Sequence, residues 1–324
     1  MIDKGTSLKI RVISVFAMLS VVAWHSECGS RVERWFIPWV TTWSVPWFFC
    51  VSGFFFVKSA EKVDTLPLLR KKISTLLVPY IIWCVLGWGL WRPSLSGWRG
   101  ELLGLSSSIF PRGNWPLWYV RALLIFMSAG LFAYMLRRFL RPLWAFFAFF
   151  VSCIVLARYL LIRSGIGVSP FSSTVFFLAG SGLALWDVDL KGGGDTRWYS
   201  SFVCSVSLIG AFLLKWFFGR DHVLSNIAIA LVIIAIWHLY DHIKTHLECV
   251  AILGLVPGIY FMHGPLIKAF DLHIGIKLAS NMNVIQLDVF YFCKALVFFL
   301  LSGALCYSLK RFLPRFAAVA FGGR

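Results

Sequence analysis

The sequence predicts an all-α fold, a polytopic bundle of about ten transmembrane helices with both termini cytoplasmic, and three observations predict it. Hydrophobic residues make up 59% of the chain, against roughly 45–50% in soluble domains. Charged residues make up only 14% and cluster between apolar stretches. Such clustering is what a bilayer demands, because a charge at its centre costs about 2.5 kcal/mol or more. Finally, the apolar stretches approach the 20 or so residues that cross a hydrocarbon core about 30 Å thick.

Taken in order, the expected spans are 8–27, 36–58, 73–91, 117–136, 142–162, 170–187, 198–219, 222–240, 249–270 and 286–312. The sixth is short and contains glycine, and the eighth is bounded by charged turns, so nine or eleven spans are the neighbouring counts. The first stretch carries Arg11 and His25 and lacks a small-residue cleavage site, so it is expected to stay as a span and not to leave as a signal peptide. Orientation follows from the Lys/Arg balance. With the N-terminus inside, seventeen basic residues fall on the cytoplasmic side and nine outside, steepest at 70–72 and 137–141. The longest loop, about 92–116, is too short for a second domain, so residues 1–324 read as one integral-membrane domain.

A net charge of +17 raises the question of nucleic acid, but basic residues beside apolar spans are anchors facing anionic lipid. No nucleic-acid partner is expected. The eight cysteines stand singly, mostly inside apolar runs and without metal-ligand spacing; they read as small core residues. His238, His242 and His246 recur every four residues, with Asp241 among them. One straight helix supplies no converging ligand set, however, and no metal site is expected.

Ionisable residues inside spans are the sharpest functional signal, because each needs a partner or water. Arg158, Lys215 and Lys294 lie within about two turns of a span end and can snorkel. His25 closes the first span in Trp24-His25-Ser26-Glu27, where a neutral imidazole suits proton transfer near neutral pH. An interfacial histidine beside a belt tryptophan is the alternative. Arg11 lies fourteen residues earlier, within roughly 40° of the same helix face. Arg121 lies in the first turns of the fourth span, at a depth similar to His25, as a site residue or a snorkelling one. His263 lies in the outer half of span nine, as a site residue or a hydrogen-bonded core histidine.

Five landmarks in order carry a resemblance. The first span ends Val21-Val22-Ala23-Trp24-His25-Ser26, and the second contains Phe48-Phe49-Cys50-Val51-Ser52-Gly53-Phe54-Phe55-Phe56. A basic cluster, Arg70-Lys71-Lys72, precedes Leu76-Leu77-Val78-Pro79-Tyr80. Then come Leu117-Trp118-Tyr119-Val120-Arg121 and Gly258-Ile259-Tyr260-Phe261-Met262-His263-Gly264-Pro265-Leu266. Over essentially its whole length the chain resembles the acyltransferase 3 family of ten-helix bacterial membrane acyltransferases. It departs in two places. The family's arginine eleven residues before the first-span histidine is Ser14 here, with Arg11 the nearest basic residue. Of its paired arginines before the proline, Lys72 matches the first and Thr75 the second, with Arg70 and Lys71 at hand.

The resemblance implies transfer of an acyl group, acetyl by default, from cytoplasmic acyl-CoA to a hydroxyl of an envelope polysaccharide or lipid-linked sugar, in the inner (plasma) membrane. Coenzyme A phosphates suit the cations Arg70, Lys71 and Lys72, and a pantetheine arm can thread past Arg11 toward His25, Arg121 and His263. His25 is the expected general base and Arg121 the expected oxyanion partner. Glu27 is a candidate to orient His25, and Ser26 a minor candidate nucleophile. A glycolipid transporter or flippase is the alternative of another class, although internal repeats and broken helices are not visible. A non-catalytic scaffold is the third.

Overall fold

The computed structural model describes residues 3–27, 41–90, 117–163, 171–188, 197–218, 222–243 and 251–322. Every regular element among them is helical. Helix α1 (Lys4–His25) starts at Asp3, whose carboxylate accepts the N–H of Thr6 at 2.9 Å and its hydroxyl at 2.7 Å. That is the side-chain cap a helix start requires. After α2 (Ser44–Ala60), the short α3 (Thr65–Lys72) passes through a π-turn, Ile73–Leu77, into α4 (Val78–Leu90). Pro79 has no N–H to donate, and just before it the register widens, with Val78 N–H reaching the Ile73 carbonyl.

Four helices follow as α5 (Trp118–Met135), α6 (Leu143–Arg163), α7 (Phe171–Leu185) and α8 (Arg197–Phe218). Then come α9 (His222–Ile243) and α10 (Val256–Phe270). A second π-turn, Asp271–Gly275, leads into α11 (Ile276–Ala279). A capping box between Asn283 and Gln286 opens the longest helix, α12 (Val284–Phe312), and α13 (Pro314–Ala320) closes the chain.

Each expected span falls on one of these helices. Among the described residues six are long and apolar enough to cross a membrane on their own: Lys4–His25, Thr65–Gly89, Trp118–Met135, Leu143–Leu160, Val223–Asp241 and Val284–Phe312. Ser44–Ala60, Ser173–Leu185 and Ser200–Lys215 are shorter apolar helices. The outward surface agrees with a lipid surrounding: Leu296, Val297, Leu300 and Leu301 of α12, and Phe202, Val206, Ile209 and Phe212 of α8, are all exposed. The protein is therefore an all-α, multi-pass membrane protein.

Helix α1 is central and packs against α2, α9, α10 and α12. One core cluster joins α1, α4, α10, α12 and α13 through Met18, Trp83, Ile259, Phe299 and Phe321. A second joins α2, α5, α6 and α7 through Phe49, Phe126, Phe150 and Phe177. Where α2 crosses α7 the backbones nearly touch. A side chain at Gly53 would strike the Phe177 carbonyl, and one at Gly180 would strike the Cys50 carbonyl. Without a hydrophobic drive between helices in lipid, such small residues permit the close approach that holds a pair together.

Two cations are buried, and one of them, Lys294, was expected to snorkel. Lys294 is 4% exposed, so its ammonium does not emerge into solvent but is enclosed and paired with Asp271 at 2.7 Å. Lys9, 5% exposed, pairs with Asp241 at 2.7 Å and lies 4.2 Å over the Trp237 ring, fastening α1 to α9. Lys215 is half-buried, its ammonium 3.5 Å from the Thr42 hydroxyl, and Arg158 is half-buried on α6.

The α2–α7 crossing yields a prediction. Gly53→Ala and Gly180→Ala should each destabilise by about 1–3 kcal/mol through overpacking, lowering the thermal midpoint in detergent. Gly89→Ala, where a Cβ meets nothing within 4 Å, should leave the midpoint unchanged or raise it.

Candidate active site

His25 occupies the last turn of α1, where helix carbonyls lack intrahelical donors. Those carbonyls are supplied from elsewhere. Ser26 N–H goes to Ala23 O at 3.1 Å, and the Ser26 hydroxyl donates to Val22 O at 2.8 Å. The Tyr291 hydroxyl of α12 donates to Ala23 O at 2.6 Å, and the Lys294 ammonium to Glu27 O at 2.9 Å. Ser26, the minor candidate nucleophile, is fully buried with its hydroxyl donating to that carbonyl. The Glu27 side chain is exposed.

Helix α10 brings His263 against His25, with ring centroids 5.3 Å apart and planes tilted by 34°. His263 is completely buried. Its Nδ1 lies 3.1 Å from the Ile259 carbonyl, and since a carbonyl only accepts, the proton of the neutral ring is assigned to Nδ1. Nε2 then carries the lone pair, and that atom is buried without a hydrogen-bond partner among the described residues. A buried polar atom of this kind asks for a ligand or a water.

Tyrosines extend the polar site away from the two histidines. Tyr260, one turn before His263, has its ring 5.9 Å from the imidazole and 5.6 Å from that of Tyr119. Its side chain also hydrogen-bonds the backbone of Val120, the residue before Arg121. Arg121 in turn hydrogen-bonds the Tyr80 side chain, which is also bonded to Cys84 one turn along α4. The Tyr119 hydroxyl donates to Phe48 O at 3.2 Å, so the 2.9 Å contact with Ser52 has the serine as donor. Helices α1, α10, α5, α4 and α2 thus contribute neighbouring polar groups in an apolar surround.

His25 and His263 are brought into contact, while Arg121 stands next to Val120, whose backbone bonds the Tyr260 side chain beside His263. The other expected site residues stand elsewhere. Arg11 is on the exposed face of α1, and the buried cation near it is Lys9. Arg70 and Lys71 are exposed and Lys72 half-buried at the end of α3. Thr75 donates its hydroxyl to Lys71 O at 2.8 Å, tying the π-turn to that basic end. The His238 Nδ1 is 3.9 Å from Asp241 Oδ2 and 3.2 Å from the Ser200 hydroxyl. The His242 side chain and all of His246 lie outside the described residues. Among the described residues there is no group of three or more His, Cys, Asp or Glu able to hold a metal ion.

Nothing in the sequence marks Tyr80, Tyr119 or Tyr260 for a role, and Lys294 is marked there only as an intramembrane cation able to snorkel. The three tyrosines lie inside the quoted motifs, one to three residues from their landmark, and that adjacency was the available signal.

The Ser52–Tyr119 contact should be visible energetically. Ser52→Ala and Tyr119→Phe should each cost about 1 kcal/mol. The double variant should lose clearly less than the sum, because both changes delete the same bond. Denaturant unfolding in detergent measures this, and full additivity would show that the bond contributes nothing.

No curated protein and no solved structure matches the chain significantly. Residues 9–309 match the acyltransferase 3 family, described as an acyltransferase domain, so that with its helical bundle the chain belongs to this family of membrane acyltransferases.

Proposed function

We propose that the protein moves an acyl group, acetyl by preference, from cytoplasmic acyl-CoA to a hydroxyl of a cell-envelope glycan or lipid-linked sugar. Its ten helical segments then lie in the inner membrane with both termini in the cytoplasm, and His25 lies toward the outer side. The observation that carries this reading is the apposition of His25 and His263 inside the bundle, with His263 Nε2 buried and unpaired.

The chemistry follows from those groups. His25 takes the proton of the acceptor hydroxyl as its oxygen attacks the thioester carbonyl carbon. The carbonyl oxygen becomes an oxyanion, and Arg121, held by Tyr80, stabilises it. Collapse breaks the carbon–sulfur bond, and the departing thiolate receives the proton from the His25 imidazolium. The sum is alcohol plus thioester giving ester plus coenzyme A. His263 lies against His25 and offers Nε2 as a second station for that proton. Arg70, Lys71 and Lys72 are the cations for the coenzyme phosphates, as point charges and one guanidinium fork at the basic end of α3. Arg11, on the exposed face of α1, remains a candidate contact for the donor along that helix.

Thioester turnover tests the reading. Purified protein with acetyl-CoA and pooled envelope glycans should release free thiol. His25→Ala should lower that rate by roughly 10²–10⁴-fold while the protein stays folded. Arg121→Gln should lower it by roughly 10²–10³-fold. Unchanged turnover in His25→Ala would remove the base assignment. No turnover by the wild type would favour a transporter of glycolipid.

A further inference from the structure

Among the described residues Lys294 is the most deeply enclosed cation at the His25 end of the bundle, its side chain 1% exposed. The ammonium has three oxygen partners. Asp271 supplies both carboxylate oxygens, at 2.7 and 2.9 Å, and the Glu27 carbonyl supplies the third at 2.9 Å. These partners belong to the two helices that carry the histidines. Glu27 is two residues beyond His25, and Asp271 is the first residue after α10, the helix of His263.

A second contact from the same face of α12 reinforces the first. Tyr291, three residues before Lys294 and fully buried, donates to Ala23 O at 2.6 Å. The carbonyls on either side of His25, those of Ala23 and Glu27, are therefore both held by α12. The carboxylate is itself confined, because Gly275 at the end of the π-turn packs so closely on Asp271 Oδ1 that a Cβ there would overlap it. A cation at a helix C-terminus is favourable, and in a dry surround the charge-assisted bonds are strong and directional.

We propose that Lys294 is a positioning residue. Its ammonium ties the last turn of α1 to the end of α10 and so sets the separation of His25 and His263. The catalytic part of this claim rests on the reading of the two histidines as the reactive pair, whereas the geometric part does not. Lys294 touches neither ring in this role and acts only through the backbone of Glu27 and the carboxylate of Asp271. Arginine keeps the charge and the donors, but methionine keeps only the volume.

The experiment has two arms. In the first, a His25→Cys/His263→Cys reporter is treated with a short bifunctional thiol reagent, and the linked peptides are quantified by mass spectrometry. The reporter is compared with Lys294 intact, with Lys294→Arg and with Lys294→Met. Because lysine loss leaves Asp271 unpaired and can impair folding, Lys294→Met/Asp271→Leu is included, and only monodisperse proteins are scored. The expected result is efficient linkage with Lys or Arg and loss of it with Met in either background. In the second arm, thioester turnover by the same Lys294 variants with both histidines present should fall about a hundredfold in kcat for the Met proteins, from misplacement of reacting groups. The KM for acetyl-CoA should stay within about twofold, and Lys294→Arg should recover most of the rate. A folded Met variant that links 25 to 263 as well as its parent overturns the proposal, and so does one with wild-type kcat. Should the wild type consume no thioester, the acyl-CoA reading fails, and the linkage arm alone decides whether Lys294 sets the histidine spacing.

Discussion

A cation enclosed by apolar helices must find oxygen or aromatic partners within a few ångströms, since the surround offers it no water. In this protein that constraint acts twice on one helix. Near its start, Lys9 of α1 reaches across to Asp241 and the Trp237 ring of α9. At its end, the Glu27 carbonyl receives Lys294 of α12. The central helix is thus fastened at both ends by charge, to two different neighbours, while its middle packs through Ile13, Ala17, Met18 and Val22. A helix fixed in this way has little freedom to rotate or slide, and His25 inherits that fixity.

The site has the same economy. Polar groups in a dry bundle are costly unless they satisfy one another, and here most of them do. Ser52 gives its proton to Tyr119, Tyr119 to the Phe48 carbonyl, and His263 Nδ1 to the Ile259 carbonyl. Arg121 is accommodated by Tyr80. Against this background the Nε2 of His263 stands out, buried and without a hydrogen-bond partner among the described residues.

Much of this was legible in the sequence. Hydropathy marks helices well: the expected spans overlie helices, and among the described residues six of these are long and apolar enough to cross a membrane on their own. His25, Arg121 and His263 were legible because a polar residue in an apolar run is conspicuous. Facing was not legible. Arg11 and Lys9 are two residues apart on one helix, and their phase relative to His25 does not tell which one is buried; Asp241, 232 residues away from Lys9, decides it. Lys294 looked able to snorkel because its span end was near. Its actual partner, Asp271, sits on a π-turn whose register no local pattern announces. The tyrosines were overlooked for a related reason: in a chain that is 17% aromatic, one more ring attracts no notice until its hydroxyl is seen to be bonded.

The end of the chain closes on its interior. The Trp83 indole of α4 donates to the carbonyl of Ala320 at 2.8 Å, and Gly322, at φ +71°, packs its backbone on the Thr75 carbonyl where no side chain fits. Helix α4 also carries Tyr80, the partner of Arg121. Translation delivers residues in order at about 5–20 per second, so α4 enters the bilayer long before its clasp exists. Until residues 320–322 emerge from the ribosome, the wall beside Arg121 lacks that support. The wall beside Arg121 is therefore completed only after residues 320–322 have been made, and a chain cut short before them by a premature stop codon keeps its helices but lacks the latch.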